Sequence, residues 1–178
     1  MKKGQSPTDI KVFSANLAKV TEIDCARLAS FIDGEGTIYI NRSRPRGGHK
    51  SRTHALSVTV KNNSELLMSW LRDTFMGSVL PDRGGLSPLT KRPGWTWRLN
   101  ERQAEILLER RLPYFIIKRQ QAEIGLAFRD LNRGTSYAAR KGRVMQCVPE
   151  VELRRRDALR YQIHELNSPS ATVRGVIS

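Results

Sequence analysis

Residues 27–44, RLASFIDGEGTIYINRSR, pass from the helical to the strand period of hydrophobicity with no linker between them. Upstream, TEIDCARLASFIDG sets Ile23, Leu28, Phe31 and Ile32 on one side of a helix, with Gly34 as its stop. Downstream, TIYIN alternates Ile38 and Ile40 against Thr37, Tyr39 and Asn41, the pattern of a half-buried strand. The junction carries Asp33 and Glu35 around Gly34, and Gly34 and Gly36 free the backbone to turn sharply there. A second helix side built from Ala26, Ala29 and Ser30 with Asp33 is slim enough to let another helix backbone approach.

The strand leads into RSRPRGGHKSR, which holds five basic residues (Arg42, Arg44, Arg46, Lys50 and Arg52), no acid, and the loop residues Pro45, Gly47 and Gly48. HALSVTVKN alternates again, Leu56, Val58 and Val60 against Ser57, Thr59 and Lys61, so the two strands predict a hairpin with one aliphatic and one polar, basic face. NSELLMSWLRDTF reads as an amphipathic helix capped by Ser64 and ending at Gly77. SVLPDRG and GWTWRL predict a second hairpin, with Trp95, Trp97 and Leu99 on its core face. Helices are expected from Asn100, after Pro113, with Phe128 in the core, and from Pro149. Residues 1–20 are expected to form a loosely held extension, with SANLAKV compatible with a short helical approach. Residues 21–178 are expected to form a single α+β domain.

The chain has 31 Lys and Arg against 17 Asp and Glu, a net charge of +14, much of it arginine spread through segments with folded patterning. Such an excess favours a polyanionic partner, nucleic acid before membrane. No apolar run is long enough to span a bilayer, so no membrane partner is expected. No apolar stretch follows the N-terminal lysines, so the chain is expected to be intracellular, in the cytoplasm of a prokaryote or in an organelle, and not secreted. Cys25 and Cys147 lack metal-ligand spacing and are expected to be reduced side chains in or near the core.

Acids inside a basic surface oppose phosphate binding unless a cation intervenes. A carboxylate beside a free backbone carbonyl is a hard-oxygen set suited to Mg²⁺, which completes its shell with water and phosphate oxygens. A solvated helix cap is the alternative use of Asp-Gly-Glu-Gly. The surrounding charge favours metal-assisted phosphodiester chemistry.

LASFIDGEG, Leu28 to Gly36, resembles the signature of the LAGLIDADG homing endonucleases, specifically the single-motif branch that acts as homodimers. The resemblance covers roughly Glu22 to Asn132 in the order helix, hairpin, helix, hairpin, helices, and it continues in DRGG, LPYFIIKRQQAE and, more faintly, ELNSPSATVRGV. It implies an αββαββα core with a curved antiparallel DNA-binding sheet and additional C-terminal helices. It implies a homodimer with Ala26, Ala29, Ser30 and Asp33 at the interface, where Asp33 is more a structural acid than a ligand. The implied metal site is Glu35 with the Gly34 carbonyl. Lys118 falls where the family carries a basic residue that stabilises charge developing on the phosphate, and Asn62 where it carries a polar residue, commonly Gln, that orients water. Mg²⁺ is the implied cofactor, with Mn²⁺ substituting and Ca²⁺ binding without supporting cleavage. The departures are Ser30 in place of a glycine and Glu in the acidic position.

An antiparallel ribbon fits the major groove. Its groove-facing set is expected to be Thr37, Tyr39, Asn41, Ser43, Ser57, Thr59 and Lys61, joined by Arg83, Thr96 and Arg98 from the second hairpin. The loop bases Arg42, Arg44, Arg46, Lys50 and Arg52 are expected on phosphates. Arg154, Arg155 and Arg156 fit either a solvated helix face or a phosphate clamp. The implied activity is a double-strand break at a long pseudo-palindromic site with short 3′ overhangs. An RNA-binding maturase acting on host intron RNA, or a DNA-binding regulator, remains the alternative at this stage.

Overall fold

The computed structural model describes residues 7–44, 52–81, 94–140 and 148–168. Helix α1 (Pro7–Lys19) precedes α2 (Glu22–Glu35), β1 (Gly36–Ser43), β2 (Thr53–Asn62), α3 (Glu65–Phe75), β3 (Ser78–Pro81), β4 (Trp95–Leu99), α4 (Glu101–Arg111), a 3₁₀ turn (Leu112–Tyr114), α5 (Arg119–Arg140) and α6 (Glu150–Leu166). From α2 to α4 the order is αββαββα, within an α+β fold. The four strands form one antiparallel sheet in the order β1-β2-β4-β3.

Local chemistry explains the element ends. The Thr21 hydroxyl accepts the Asp24 N–H at 3.1 Å and caps α2. Ser64 caps α3 by accepting the Leu67 N–H, and Asn100 and Gln103 form a reciprocal capping box on α4. The turn out of α3 needs left-handed backbone at Gly77, φ 87°. Helix α2 runs one residue past the expected stop, through Gly34 to Glu35, and ends at Gly36. A Cβ on Gly36 would lie 2.6 Å from the Ile32 Cα, so only glycine lets the strand leave the helix that tightly.

Pairing fixes the two faces of the sheet. Ile38 opposes Val58, Val58 opposes Leu99, and Val60 opposes Trp97, so these share the face covered by helices. Leu28 and Ile32 of α2, Leu71 and Phe75 of α3, Leu107 and Leu108 of α4 and Phe128 of α5 complete a fully buried core. Trp97 lies fully inside it and donates its indole N–H to the Met76 carbonyl at 2.7 Å.

Three expectations change. Residues 7–19 are no loose extension, because Phe13 and Leu17 of α1 are buried in the core. Ile23 does not join Leu28 and Ile32 but is 65 % exposed on the outer side of α2. The helix after Pro113 starts only at Arg119, because the amides of residues 116–118 bond to Asp33 instead. Cys25 is buried and free, while Cys147 lies outside the described residues. Among the described residues no helix is long and apolar enough to cross a membrane.

Helix α6 is tied to the first hairpin by a pair that the sequence does not advertise. His54, on the core face opposite Arg42, donates from Nε2 to Asp157 Oδ1 at 2.9 Å, and its ring is fully buried. Arg42 and Arg52 approach the same carboxylate at 3.5 and 3.9 Å. Burial alone would push the Asp157 carboxyl up. The His54 hydrogen bond and the charges of His54, Arg42 and Arg52 outweigh it and leave the carboxyl below its ordinary value. Its stabilisation is therefore full above the ordinary value of 3.8 and is lost as pH falls through the lower folded value. Asp157→Asn is expected to cost about 1–3 kcal/mol at neutral pH by leaving buried His54 poorly paired. Urea denaturation at descending pH should show the gap to wild type closing below 3.8.

Candidate active site and nucleic-acid interface

The last turn of α2 presents Asp33, Gly34 and Glu35 in different directions. Asp33 points inward: Oδ2 accepts the amides of Ile116 at 2.9 Å and Ile117 at 3.2 Å, and Oδ1 accepts that of Lys118 at 2.9 Å. Three charge-assisted bonds from one segment fix the approach to α5 against the end of α2. That places Lys118, whose ammonium donates to the Asp33 carbonyl oxygen. Burial lowers the Lys118 pKa from its ordinary value, and the Asp33 charge only partly offsets the shift.

Glu35 is exposed at the junction with β1, and its carboxylate accepts from the Asn62 Nδ2 at the end of β2. Asn62 is oriented from its other side, since Oδ1 accepts the Ser64 amide at 2.8 Å in the turn before α3. The carboxylate is therefore held on one side and open on the other. Gly34 is exposed, with nothing within 4 Å of the position a Cβ would take. Among the described residues no group of three or more His, Cys, Asp or Glu side chains could hold a metal. What α2 offers is one carboxylate beside helix-end carbonyls, an oxygen set of the kind Mg²⁺ shares with water and phosphate.

The pairing register puts Thr37, Thr59, Arg98 and Ser78 in one row across the sheet's second face, and Lys61, Thr96 and Leu80 in the next. Tyr39 pairs with Ser57, Asn41 with Ala55, and Ser43 with Thr53 on that same face. A cleft of about 400 Å³ lies over it, lined by Tyr39, Lys61, Thr96, Arg98 and their neighbours. Asn41, Ser43, Arg44 and Lys61 are exposed, and Thr37, Tyr39, Thr96 and Arg98 half-buried. Arg46, Lys50 and Arg83 lie outside the described residues.

Several expected site residues are placed differently. Ser57 and Thr59 are only 1 % and 7 % exposed, because β2 is an inner strand and longer neighbours cover them. Arg98 donates to the Ser57 hydroxyl at 3.1 Å, and Thr59 reaches toward the Thr37 carbonyl. Arg42 and Arg52 lean on Asp157 while their side chains stay more than a third exposed. Ala29 and Asp33 face the chain's own interior, so the exposed side of α2 is Ile23, Ala26, Arg27, Ser30 and Gly34. Arg156 is buried in an ion pair with Glu152 at 3.2 Å, whereas Arg154 and Arg155 are exposed. Ile116 and Ile117, 87 % and 69 % exposed beside Asp33, were missed; their signal is an apolar pair in PYFIIKRQQ where the helical pattern leads one to bury them.

No family sequence model and no curated protein sequence matches the chain. Solved structures do. The chain is similar to the homing endonuclease I-CvuI in complex with a DNA target, with TM-score 0.65, 18 % identity and 83 % of each chain covered. It is similar to the archaeal intron-encoded homing endonuclease I-Vdi141I complexed with DNA, with TM-score 0.64, 10 % identity and coverage of 83 % of this chain and 86 % of that one. The LAGLIDADG meganuclease I-AabMI bound to uncleaved DNA matches with TM-score 0.58 and 17 % identity, over 86 % of this chain but only 50 % of its own length. With the αββαββα order, the motif helix and the polar sheet face in agreement, this chain has the fold of the LAGLIDADG homing endonucleases.

Proposed function

We propose that the chain is a site-specific, metal-dependent DNA endonuclease of the homing type that works as a homodimer on a long pseudo-palindromic site and leaves short 3′ overhangs. The observation that carries this reading is the Glu35–Asn62 pair, an exposed and oriented carboxylate at the foot of a polar, basic sheet face. The similar solved structures with bound DNA support it.

The exposed side of α2 carries Ile23, the small residues Ala26, Ser30 and Gly34, and Arg27 paired with Asp24, flanked by Ile116 and Ile117. An apolar rim around a slim helix stripe suits a second copy of the same helix. A chain spanning half of I-AabMI would supply the other half by self-association. Two Glu35 carboxylates would then face each other across the two-fold axis. A divalent cation there would supply Lewis-acid stabilisation and an activated water at neutral pH. Asn62 holds Glu35 in place and offers the polar group nearest that water. Lys118, tethered to the end of the same helix, stabilises charge developing on the phosphate. Lys61 and Arg98 present cationic ends to the duplex, and Thr37, Tyr39, Asn41 and Thr96 present base-reading groups.

Sequencing the ends produced from a genomic DNA library tests the reading directly. Wild type is expected to give discrete cuts with Mg²⁺ or Mn²⁺ and none with Ca²⁺, and Glu35→Gln none under any condition while still retarding duplex DNA. Binding without cutting in every condition would leave a regulator or an RNA-binding maturase. For Lys118, whose charged form is required and whose pKa is depressed, cleavage should decline as pH rises at values below the ordinary 10.5. Lys118→Arg should remove that alkaline decline if activity is retained, because a guanidinium does not deprotonate in this range. Gly34→Ala separates folding from association. It should leave the monomer as stable or raise its stability by up to about 1 kcal/mol, yet weaken dimerisation as measured by sedimentation.

A further inference from the structure

Helix α6 runs antiparallel to the edge strand β1, with Asp157 beside Arg42 near one end and the Asn167 Nδ2 donating to the Ile38 carbonyl at 2.9 Å near the other. Asp157, Arg160, His164 and Asn167 recur at helical spacing and form one stripe along that edge. Between stripe and strand lies a cleft of about 400 Å³, lined by Arg160, His164 and Asn167 on one side and by Thr37, Tyr39 and Asn41 on the other. These three strand residues belong to the polar face, and Thr37 and Tyr39 also line the cleft over that face. The edge strand is thus a shared wall, and the polar surface continues over it onto α6.

The charges along the stripe are not equivalent. Asp157 is occupied by His54, Arg42 and Arg52. Arg160 lies over the Tyr161 ring at 5.5 Å, and no carboxylate among the described residues pairs with it. A guanidinium set against an aromatic ring keeps its in-plane N–H groups for an acceptor, and a phosphodiester is the acceptor that planar fork fits best. His164, one turn on, is exposed and adds a ring donor.

We propose that the cleft between α6 and β1 is a phosphate-binding site in which Arg160, seconded by His164, holds a backbone phosphate of duplex DNA lying over the sheet. The inference rests on the DNA-binding reading above and deepens it. Arg160 positions the duplex and reads no base, so its contribution is independent of sequence.

The test is fluorescence anisotropy of a labelled duplex of about 30 base pairs of arbitrary sequence, titrated with the full chain at several salt concentrations between roughly 50 and 300 mM. Arg160→Ala is expected to weaken binding about three- to tenfold and to flatten the plot of log affinity against log salt by about 0.9. Arg160→Lys should restore the slope. Lys19→Ala, an exposed charge on α1 that lines neither cleft, should change neither. Arg160→Ala with wild-type affinity and slope, while Lys61→Ala flattens the plot, would overturn the α6 site and leave the sheet interface standing. Loss of binding with a lowered melting temperature and no rescue by lysine would make Arg160 structural and would also overturn it. A wild-type chain with no salt-dependent affinity for duplex DNA would remove the underlying reading and this one together.

Discussion

The Asp33 carboxylate is the contact on which the candidate site depends. It sits in the last turn of α2 and gathers three successive amides from the segment before α5, 83 to 85 residues later in the chain. Without it, those amides would continue α5 toward its N-terminus as helix, and Lys118 would have no reason to lie against the end of α2. Asp33 thus acts through geometry: it sets the segment that carries Lys118 relative to the segment that carries Glu35.

The sheet likewise sorts its polar side chains by position. Because β4 pairs with β2 rather than extending from β3 outward, β2 is enclosed on both edges and its short polar side chains disappear under Tyr39 and Arg98. The outer strands and the long side chains therefore present the chemistry, and Ser57 serves by orienting Arg98. A hairpin viewed alone gives every alternate residue equal access; a four-stranded sheet does not.

Legibility in the sequence followed the range of the interaction. Caps at Ser64 and Asn100 and the alternation of β1 and β2 rest on contacts that local pattern encodes, whereas Asn62 was singled out beside Glu35 only through the family resemblance. Only the SANLAKV half of α1 was anticipated as helical, and its docking was missed because its buried content is essentially Phe13 and Leu17 among polar neighbours, too sparse to signal burial before its docking surface exists. The late start of α5 was missed because a remote carboxylate redirects the local hydrogen bonding. His54 and Asp157 are 103 residues apart, and neither is unusual in its own segment. The contacts of Arg42 and Arg52 with Asp157 were missed for the same reason, since their partner belongs to α6.

Helix α2 ends on an acid and has no basic residue in its last turn, although the C-terminal end of a helix carries partial negative charge. Asp33 and Glu35 therefore stand where the backbone dipole is unfavourable to them, and the three amides on the Asp33 carboxylate and the Lys118 ammonium on its carbonyl oppose that repulsion. Two acids are thus gathered at one helix end in a chain whose net charge is +14. The cost of gathering two acids at the negative end of a helix is met during folding itself.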